Sequence, residues 1–503
     1  MDNKVINMNR QNVLREIRWS VIITLLFIVT ASCGKDENVI DDTKLLITVD
    51  DKEISNISVE YGASYFMIGV EASSAWKVES SEKWCSLSNS SGNGNMKTFI
   101  KVSLAANSGE EREATLTFNS GCTIKDILII QSGKESYVRP EGMKKNAAEL
   151  MASIRTGWNL GNTMEATRQS VEDAKKDIDP VTGSGETAWG NPAVTPELIK
   201  KVKSLGFNAI RIPIAWSMYC DENNNIDTKW MNRVQQVVDY SISEDLFTII
   251  NIHWDGGWLE KSCGKWMTEA EISNVENKQR KLWQQISDRF RNYDEHLIFA
   301  GTNEPEAKDE QQMEILLRYE QAFIDVVRES GGNNQYRCLI IQGPCTDAEL
   351  TNRLMKMPTD KTPESLAVEF HYYTPYNYCQ VDATKPDCTF FWGQPYKEYG
   401  IDSYGQEDYL IKQLDNLKIN FIDKGIPVIM GEYGYIIKTH PDKILQKICD
   451  ESRAYYTYTV VHEAKKRGIP AFFWDNDENG IINRKNLSEK HTYLIDAMID
   501  ATQ

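Results

Sequence analysis

Leu297-Ile298-Phe299-Ala300-Gly301-Thr302-Asn303-Glu304-Pro305 is the stretch on which the fold turns. An unbroken apolar run of this length suits a strand buried on both faces, as the parallel strands of α/β proteins are. Pro305 has no N–H to give to a sheet ladder, so the strand stops where the carboxylate appears. Glu304 then belongs at the C-terminal tip of a parallel strand, on the rim where barrel enzymes build their active sites. Downstream, Pro427-Val428-Ile429-Met430-Gly431-Glu432-Tyr433-Gly434 repeats the pattern and puts a second carboxylate at a second strand tip. A lone Glu at a strand end is commonly a solvated rim residue. Two in the same setting can serve one bond as acid and nucleophile, if folding brings them together.

Around these two stretches, short apolar runs alternate with amphipathic segments from Ala147 onward. The strand candidates are Thr156–Gly161, Asn208–Pro213, Phe247–His253, Leu297–Asn303, Arg337–Gln342, Ala367–Phe370, Val428–Glu432 and Ala471–Trp474. Helices are expected over Pro196–Leu205, Asp227–Ser243, Asn274–Arg291, Gln311–Glu329, Gln406–Asp423 and Ser452–Arg467. Thr195-Pro196-Glu197 has the form of a helix start, with Thr as cap and Pro in the first turn. Eight strand–helix units predict a (β/α)8 TIM barrel over residues 144–503. A doubly wound sheet is disfavoured, because no Gly-rich phosphate turn follows any strand.

The region before the barrel reads differently. From Leu45 to Gln131 short β-forming runs, among them Tyr65–Val70, Trp76–Glu79, Phe99–Leu104 and Ala114–Phe118, are separated by turn-rich stretches such as Asn89–Asn95. Seven or so strands here predict a small all-β, immunoglobulin-like sandwich over residues 44–132. Residues 133–143, with Pro140 and Gly142, form the expected linker.

At the N-terminus, Lys4, Arg10, Arg15 and Arg18 precede the apolar run Val21–Thr30. Ten helical residues reach about 15 Å, half a bilayer, so the run is an export signal rather than a span. Ala31-Ser32-Cys33-Gly34 resembles a bacterial lipobox, with Cys33 as the lipidated residue of a signal covering residues 1–33. Lys35-Asp36-Glu37 resembles an acidic surface-export signal, and residues 34–43 form a polar tether. The expected location is the cell outer membrane, lipid-anchored and surface-exposed. Nine of the ten Cys follow Cys33, and their spacing matches no metal motif. Cys85 with Cys122 and Cys379 with Cys388 are possible pairs, and free buried thiols are an equal alternative.

The chain has 503 residues and a net charge of -17, which argues against a nucleic-acid partner. Its 13 Trp and 22 Tyr offer flat faces of the kind on which sugar rings stack, although most such residues pack cores.

Asn303-Glu304-Pro305, Gly431-Glu432-Tyr433-Gly434, Arg211-Ile212-Pro213, Asn251-Ile252-His253, Phe370-His371-Tyr372-Tyr373 and Phe473-Trp474 resemble, in order, the motif set of glycoside hydrolase family 5. Gly157–Asn162 and Glu186–Pro192 further resemble its subfamily 4, mostly endo-β-1,4-glucanases and xyloglucanases. Ala75-Trp76-Lys77-Val78, Trp84 and Arg112–Phe118 resemble a BACON domain, for which a spacer role is favoured over sugar binding. The resemblance implies Glu304 as acid/base, Glu432 as nucleophile and Asn303 as partner of a sugar 2-hydroxyl. It implies that Arg211 and Tyr373 hold Glu432, that His253 and His371 line the subsite, and that Trp474 floors it, with Asn162 a further sugar contact. Trp254 stands where the family often has His. With Trp258, Trp266 and Trp392 it suggests a cleft for a long, branched glucan, hence xyloglucan over cellulose. The expectation is a retaining endo-β-1,4-glucanase, monomeric, without cofactor or metal. A cellulase or mixed-linkage glucanase, and a surface glycan-binding lipoprotein without catalysis, are the alternatives.

Overall fold

The structure is a computed structural model that describes residues 44–49, 52–59, 61, 64–107, 109–133, 139–167, 178–179 and 183–503. The export segment, Cys33, the tether and residues 134–138 lie outside the described residues. Two compact units divide the chain, residues 1–137 and 138–503. Among the described residues, no helix is long and apolar enough to cross a membrane.

The first unit is a sandwich of ten strands: β1 (Leu45–Val49), β2 (Lys52–Glu53), β3 (Asn56–Val59), β4 (Ser64–Ala72), β5 (Trp76–Ser80), β6 (Cys85–Leu87), β7 (Ser91–Gly92), β8 (Thr98–Leu104), β9 (Arg112–Ser120) and β10 (Thr123–Gln131). They form two five-stranded sheets, β2-β1-β4-β8-β6 and β3-β10-β9-β5-β7. Alternation sets which face is buried: Ala114, Leu116 and Phe118 of β9 point inward, as do Ile127 and Ile129 of β10 and Ile100, Val102 and Leu104 of β8. Trp76 belongs to this core, 1% exposed, with its ring 6.4 Å from that of Phe118. Trp84 is half-buried, and the Arg112 guanidinium lies 4.2 Å over its ring. β2, β6 and β7 were not foreseen. Two or three residues carry too little periodicity to announce a strand.

The second unit is a closed barrel of eight parallel strands in sequence order: β11 (Gly157–Leu160), β12 (Ala209–Ile212), β13 (Phe247–Asn251), β14 (Leu297–Ala300), β15 (Leu339–Asp347), β16 (Leu366–Tyr372), β17 (Val428–Tyr433) and β18 (Ala471–Asp475). Every residue of β11, β12, β13, β14 and β17 is buried, because helices cover the outside and side chains fill the inside. Ala209, Ile249, Ile298, Ala300, Ile340, Ala367, Ile429 and Phe472 share one interior cluster with Ala147, Leu150, Met151 and Ile154. The last four lie on or just after helix α1 (Ala147–Ser153), which starts from an Asn146–Glu149 capping box. Gly157 is required here: a Cβ would sit 2.1 Å from the Phe472 ring.

Helix starts follow their caps. Thr195 accepts from the Leu198 N–H ahead of Pro196, as expected. Two helices begin earlier than their apolar periodicity suggests. One covers Glu269–Phe290 from a Thr268–Glu271 capping box, and the other covers Lys443–Lys466 from Asp442. Cap chemistry, not the apolar stripe, sets both boundaries.

All nine described cysteines are free thiols. Cys85 points into the sandwich core whereas Cys122 is exposed. Cys379 is buried, with its thiol donating to the Tyr456 hydroxyl at 3.3 Å.

Candidate active site

The strand tips converge on one web of charged side chains. Arg211, at the end of β12, is fully buried and spends its guanidinium on four partners. Nη1 donates to Glu432 Oε1 (2.9 Å) and Asn159 Oδ1 (3.1 Å), and Nη2 donates to Asn303 Oδ1 (2.9 Å). Its Nε lies 3.0 Å from Glu369 Oε1. Tyr373 donates its hydroxyl to Glu432 Oε2 at 2.8 Å. Glu432 is thus gripped through both oxygens by donors, the arrangement that aims a carboxylate and favours its ionised form.

Local backbone geometry makes this aim possible. The register between β16 and β17 shifts between the pairs Phe370–Met430 and His371–Glu432, which leaves Gly431 as the extra residue. A bulge of this kind re-aims the side chain that follows it. Only Gly fits there, because a Cβ would stand 1.8 Å from Glu369 Oε1.

The Glu304 side chain is 44% exposed, whereas that of Glu432 is buried. His371 Nδ1 lies 2.7 Å from Glu304 Oε1 and 3.7 Å from Glu432 Oε2, and its Nε2 lies 3.1 Å from Glu369 Oε1. Burial disfavours charge on this ring, but Glu432, Glu304 and Glu369 outweigh it and push the imidazole up to about 10. His371 is therefore a cation that donates from both nitrogens. Burial also pushes on the two catalytic-type carboxyls. It leaves Glu432 above its ordinary value despite His371 and Arg211, whereas at Glu304 the His371 bond and charge overcome it and draw the group down. Glu369 is drawn below its ordinary value: burial opposes this, but Arg211, His371 and Gln342 prevail.

Glu304, His371 and Glu432 present one atom each within 4.8 Å of one another. A carboxylate oxygen lies beside each ring nitrogen of His371, an arrangement suited to holding and moving a proton.

His253 is buried and stacks on the half-buried Trp474, their ring centroids 5.6 Å apart and nearly parallel at 10°. Its pKa falls well below the ordinary imidazole value through burial, Arg211 and His371, so it is neutral. Asn251 Nδ2 lies 3.2 Å from its Nδ1. Asn162 follows β11 with φ of 57°, and its carbonyl accepts from Asn191 Nδ2 at 2.8 Å.

The outer aromatics behave differently from expectation. Trp392 is not a cleft residue. It is fully buried, donates Nε1 to the Gly405 carbonyl (2.8 Å) and meets Tyr456 edge-on, because the loop it belongs to folds inward over a long helix. Trp258 is a pillar of its own loop, donating Nε1 to Asp255 Oδ2 (2.8 Å) beneath the Lys278 ammonium at 4.3 Å. Trp254 is half-buried, with the Lys261 ammonium 4.5 Å over its ring, while Trp266 is 73% exposed.

Sequence reading missed three residues of the web: Asn159, Glu369 and Glu260. Glu369 had a signal, a carboxylate inside the apolar run Leu366-Ala-Val-Glu-Phe370. Such a residue must find a buried cation, and Arg211 is that cation.

Residues 171–480 match the family model described as Cellulase (glycosyl hydrolase family 5). The chain belongs to glycosyl hydrolase family 5. Residues 74–132 match BACON, described as a putative N-terminal binding domain. Among family 5 relatives, the xyloglucan-specific endo-beta-1,4-glucanase of Bacteroides ovatus is 30% identical over 444 residues, 84% of this chain and 85% of its own. Endoglucanase A of Paenibacillus barcinonensis is 35% identical over 381 residues, 71% and 90% of the two chains. A solved structure of a Bacteroides ovatus GH5 xyloglucanase with a XXXG heptasaccharide superposes with a TM-score of 0.67 at 29% identity, covering 91% of this chain and 99% of the other. The chain is thus a family 5 glycoside hydrolase with endoglucanase and xyloglucanase relatives.

Proposed function

We propose that this family 5 chain is a retaining endo-β-1,4-glucanase that cleaves internal bonds of xyloglucan, with Glu304 as acid/base and Glu432 as nucleophile. The carrying observation is the approach of the two carboxylates, with oxygens within 4.8 Å. Retaining pairs stand about 5–5.5 Å apart, whereas an inverting pair needs about 6.5–9.5 Å to admit water.

In the first step a Glu432 oxygen bonds to the anomeric carbon while the glycosidic bond breaks. The leaving oxygen takes a proton from Glu304, whose carboxyl is held by His371 Nδ1 at 2.7 Å. The ionised Glu432 raises the proton affinity of Glu304 until the glycosyl ester forms, and loss of that charge then turns Glu304 into the base. Glu304 takes a proton from water, water oxygen bonds to the anomeric carbon, the ester bond breaks, and a β-product leaves. Asn303, held by Arg211, offers its amide to the 2-hydroxyl, a bond that strengthens in the transition state. Trp474 and His253 form the aromatic floor.

The xyloglucan preference rests on the Bacteroides ovatus relative, since Trp392 no longer supports it. The export reading rests on Ala31-Ser32-Cys33-Gly34: the chain is a monomer lipidated at Cys33, facing outward from the outer membrane, with the sandwich as a spacer. Reducing-sugar assays on xyloglucan, mixed-linkage β-glucan, carboxymethylcellulose, mannan and xylan test the substrate. The highest kcat/KM is expected on xyloglucan, and activity confined to mannan or xylan would overturn the assignment. Radiolabelled palmitate incorporation that disappears in Cys33→Ser tests the anchor.

A further inference from the structure

One buried carboxylate beside the reacting pair has no part in the steps above. Glu260 lies in the loop after β13 and is 4% exposed. Its Oε1 accepts from Asn303 Nδ2 (2.9 Å) and from the Glu304 backbone N–H (3.0 Å), and its own carbonyl accepts from the Glu306 N–H (2.8 Å). One loop residue therefore grips the strand tip at three points. Asn303 Oδ1 is already taken by Arg211 Nη2, so two neighbours fix which way the amide faces. One Nδ2 hydrogen goes to Glu260, and the other remains for a ligand. The contacts run Glu260–Asn303–Arg211–Glu432, linking the backbone of the acid/base to the nucleophile's carboxylate.

Glu260 is not built as an ordinary salt bridge. Among the described residues no lysine or arginine pairs with it. The titratable groups that face it are Glu304, at the tip of β14, and Glu432, on β17. Burial first, then these two carboxylates, push its pKa up to about 7. An apolar or neutral residue would be cheaper to bury there, so the acceptor and the charge call for a use.

We propose that Glu260 is a positioning residue of the hydrolysis, its carboxyl group orienting the Asn303 amide toward the sugar 2-hydroxyl and holding the Glu304 backbone, and, on the alkaline side where it is ionised, its negative charge helping Glu304 keep its proton. The proposal rests on the roles given above to Glu304 and Glu432. Two variants separate its parts. Glu260→Ala removes the acceptor and the charge; Glu260→Gln keeps an acceptor oxygen but not the charge.

The test measures kcat and KM on xyloglucan across pH for the full chain, Glu260→Ala, Glu260→Gln and Glu432→Ala, with thermal melts of each. Glu260→Ala is expected to lose about tenfold to a hundredfold in kcat with KM little changed, the scale of a small misplacement at a reacting centre. Glu260→Gln should recover most of that loss, and its alkaline limb should move to lower pH, since Glu304 gives up its proton more easily without the facing charge. Wild-type kcat in Glu260→Ala, or equal losses in both variants with an unmoved pH profile, would overturn the proposal. If Glu260→Ala does not fold, the pH limb of Glu260→Gln decides alone. Activity in Glu432→Ala would instead mean that the underlying roles are wrong, a separate failure.

Discussion

The sandwich and the barrel bury very different things. The sandwich core is Ile, Val, Leu, Ala, Phe, one Cys and one Trp, and its ion pairs, such as Lys44–Glu71 and Lys125–Glu53, stay at the surface. The barrel mouth buries Arg211, Glu369, His371 and Glu432 in contact with one another. Buried charges are costly to desolvate and seldom improve stability over apolar packing. A sandwich that holds together without them shows that folding alone does not demand such a web. Its presence at converging strand tips marks the place where the chain spends stability on chemistry.

The sharpest way to break this contrast is Glu432→Ala. Turnover should fall by on the order of 10⁴-fold or more, as when a nucleophile is removed from a residue set that acts as a unit. Reducing-sugar release shows this directly, and residual wild-type turnover would remove the web's claim to function. Next comes Arg211→Ala, which strands Glu369 and Glu432 without their cation. About 3–5 kcal/mol of barrel stability should be lost together with activity, read by calorimetry and assay. Trp76→Ala is the sandwich counterpart: a cavity of that size costs about 3–5 kcal/mol. Its expected signature is a lowered sandwich transition with kcat on soluble glucan unchanged.

A smaller effect comes through pH. The folded pKa of His371 is about 10, above the unfolded value, so its protonation stabilises the fold. That contribution is complete below about 6.5 and is lost as pH rises toward the folded value. Denaturant melts should show stability falling over this window, with a shallower fall in His371→Gln. The smallest effect is at Trp392. Trp392→Phe should leave kcat and KM unchanged and cost about 1 kcal/mol for the lost Gly405 hydrogen bond, seen only in the melt.

The contrast also explains how much could be read from the sequence. All eight barrel strands were legible, since strands buried on both faces announce themselves as apolar runs. The carboxylates at two of their tips were legible for the same reason, as interruptions where the run ends. The sandwich strands that pack a core showed their alternation, whereas β2 and β7 are held by pairing with neighbours rather than by burial. What stayed hidden depends on contacts between distant segments. Glu260 becomes part of the site only because its loop folds back against Asn303 and Glu304. Trp392 and Trp258 occur in loops expected on the active face, and nothing local indicates that one packs under its loop and the other is locked by Asp255 and Lys278.

The most direct test of the central claim, that Glu304 and Glu432 act on one bond by double displacement, is the anomeric configuration of the first product. Time-resolved proton NMR of glucan hydrolysis should show the β-anomer appearing first, with the α-anomer growing in only by mutarotation. An α-anomer as the first-formed product would contradict the nucleophile role of Glu432 and the mechanism with it.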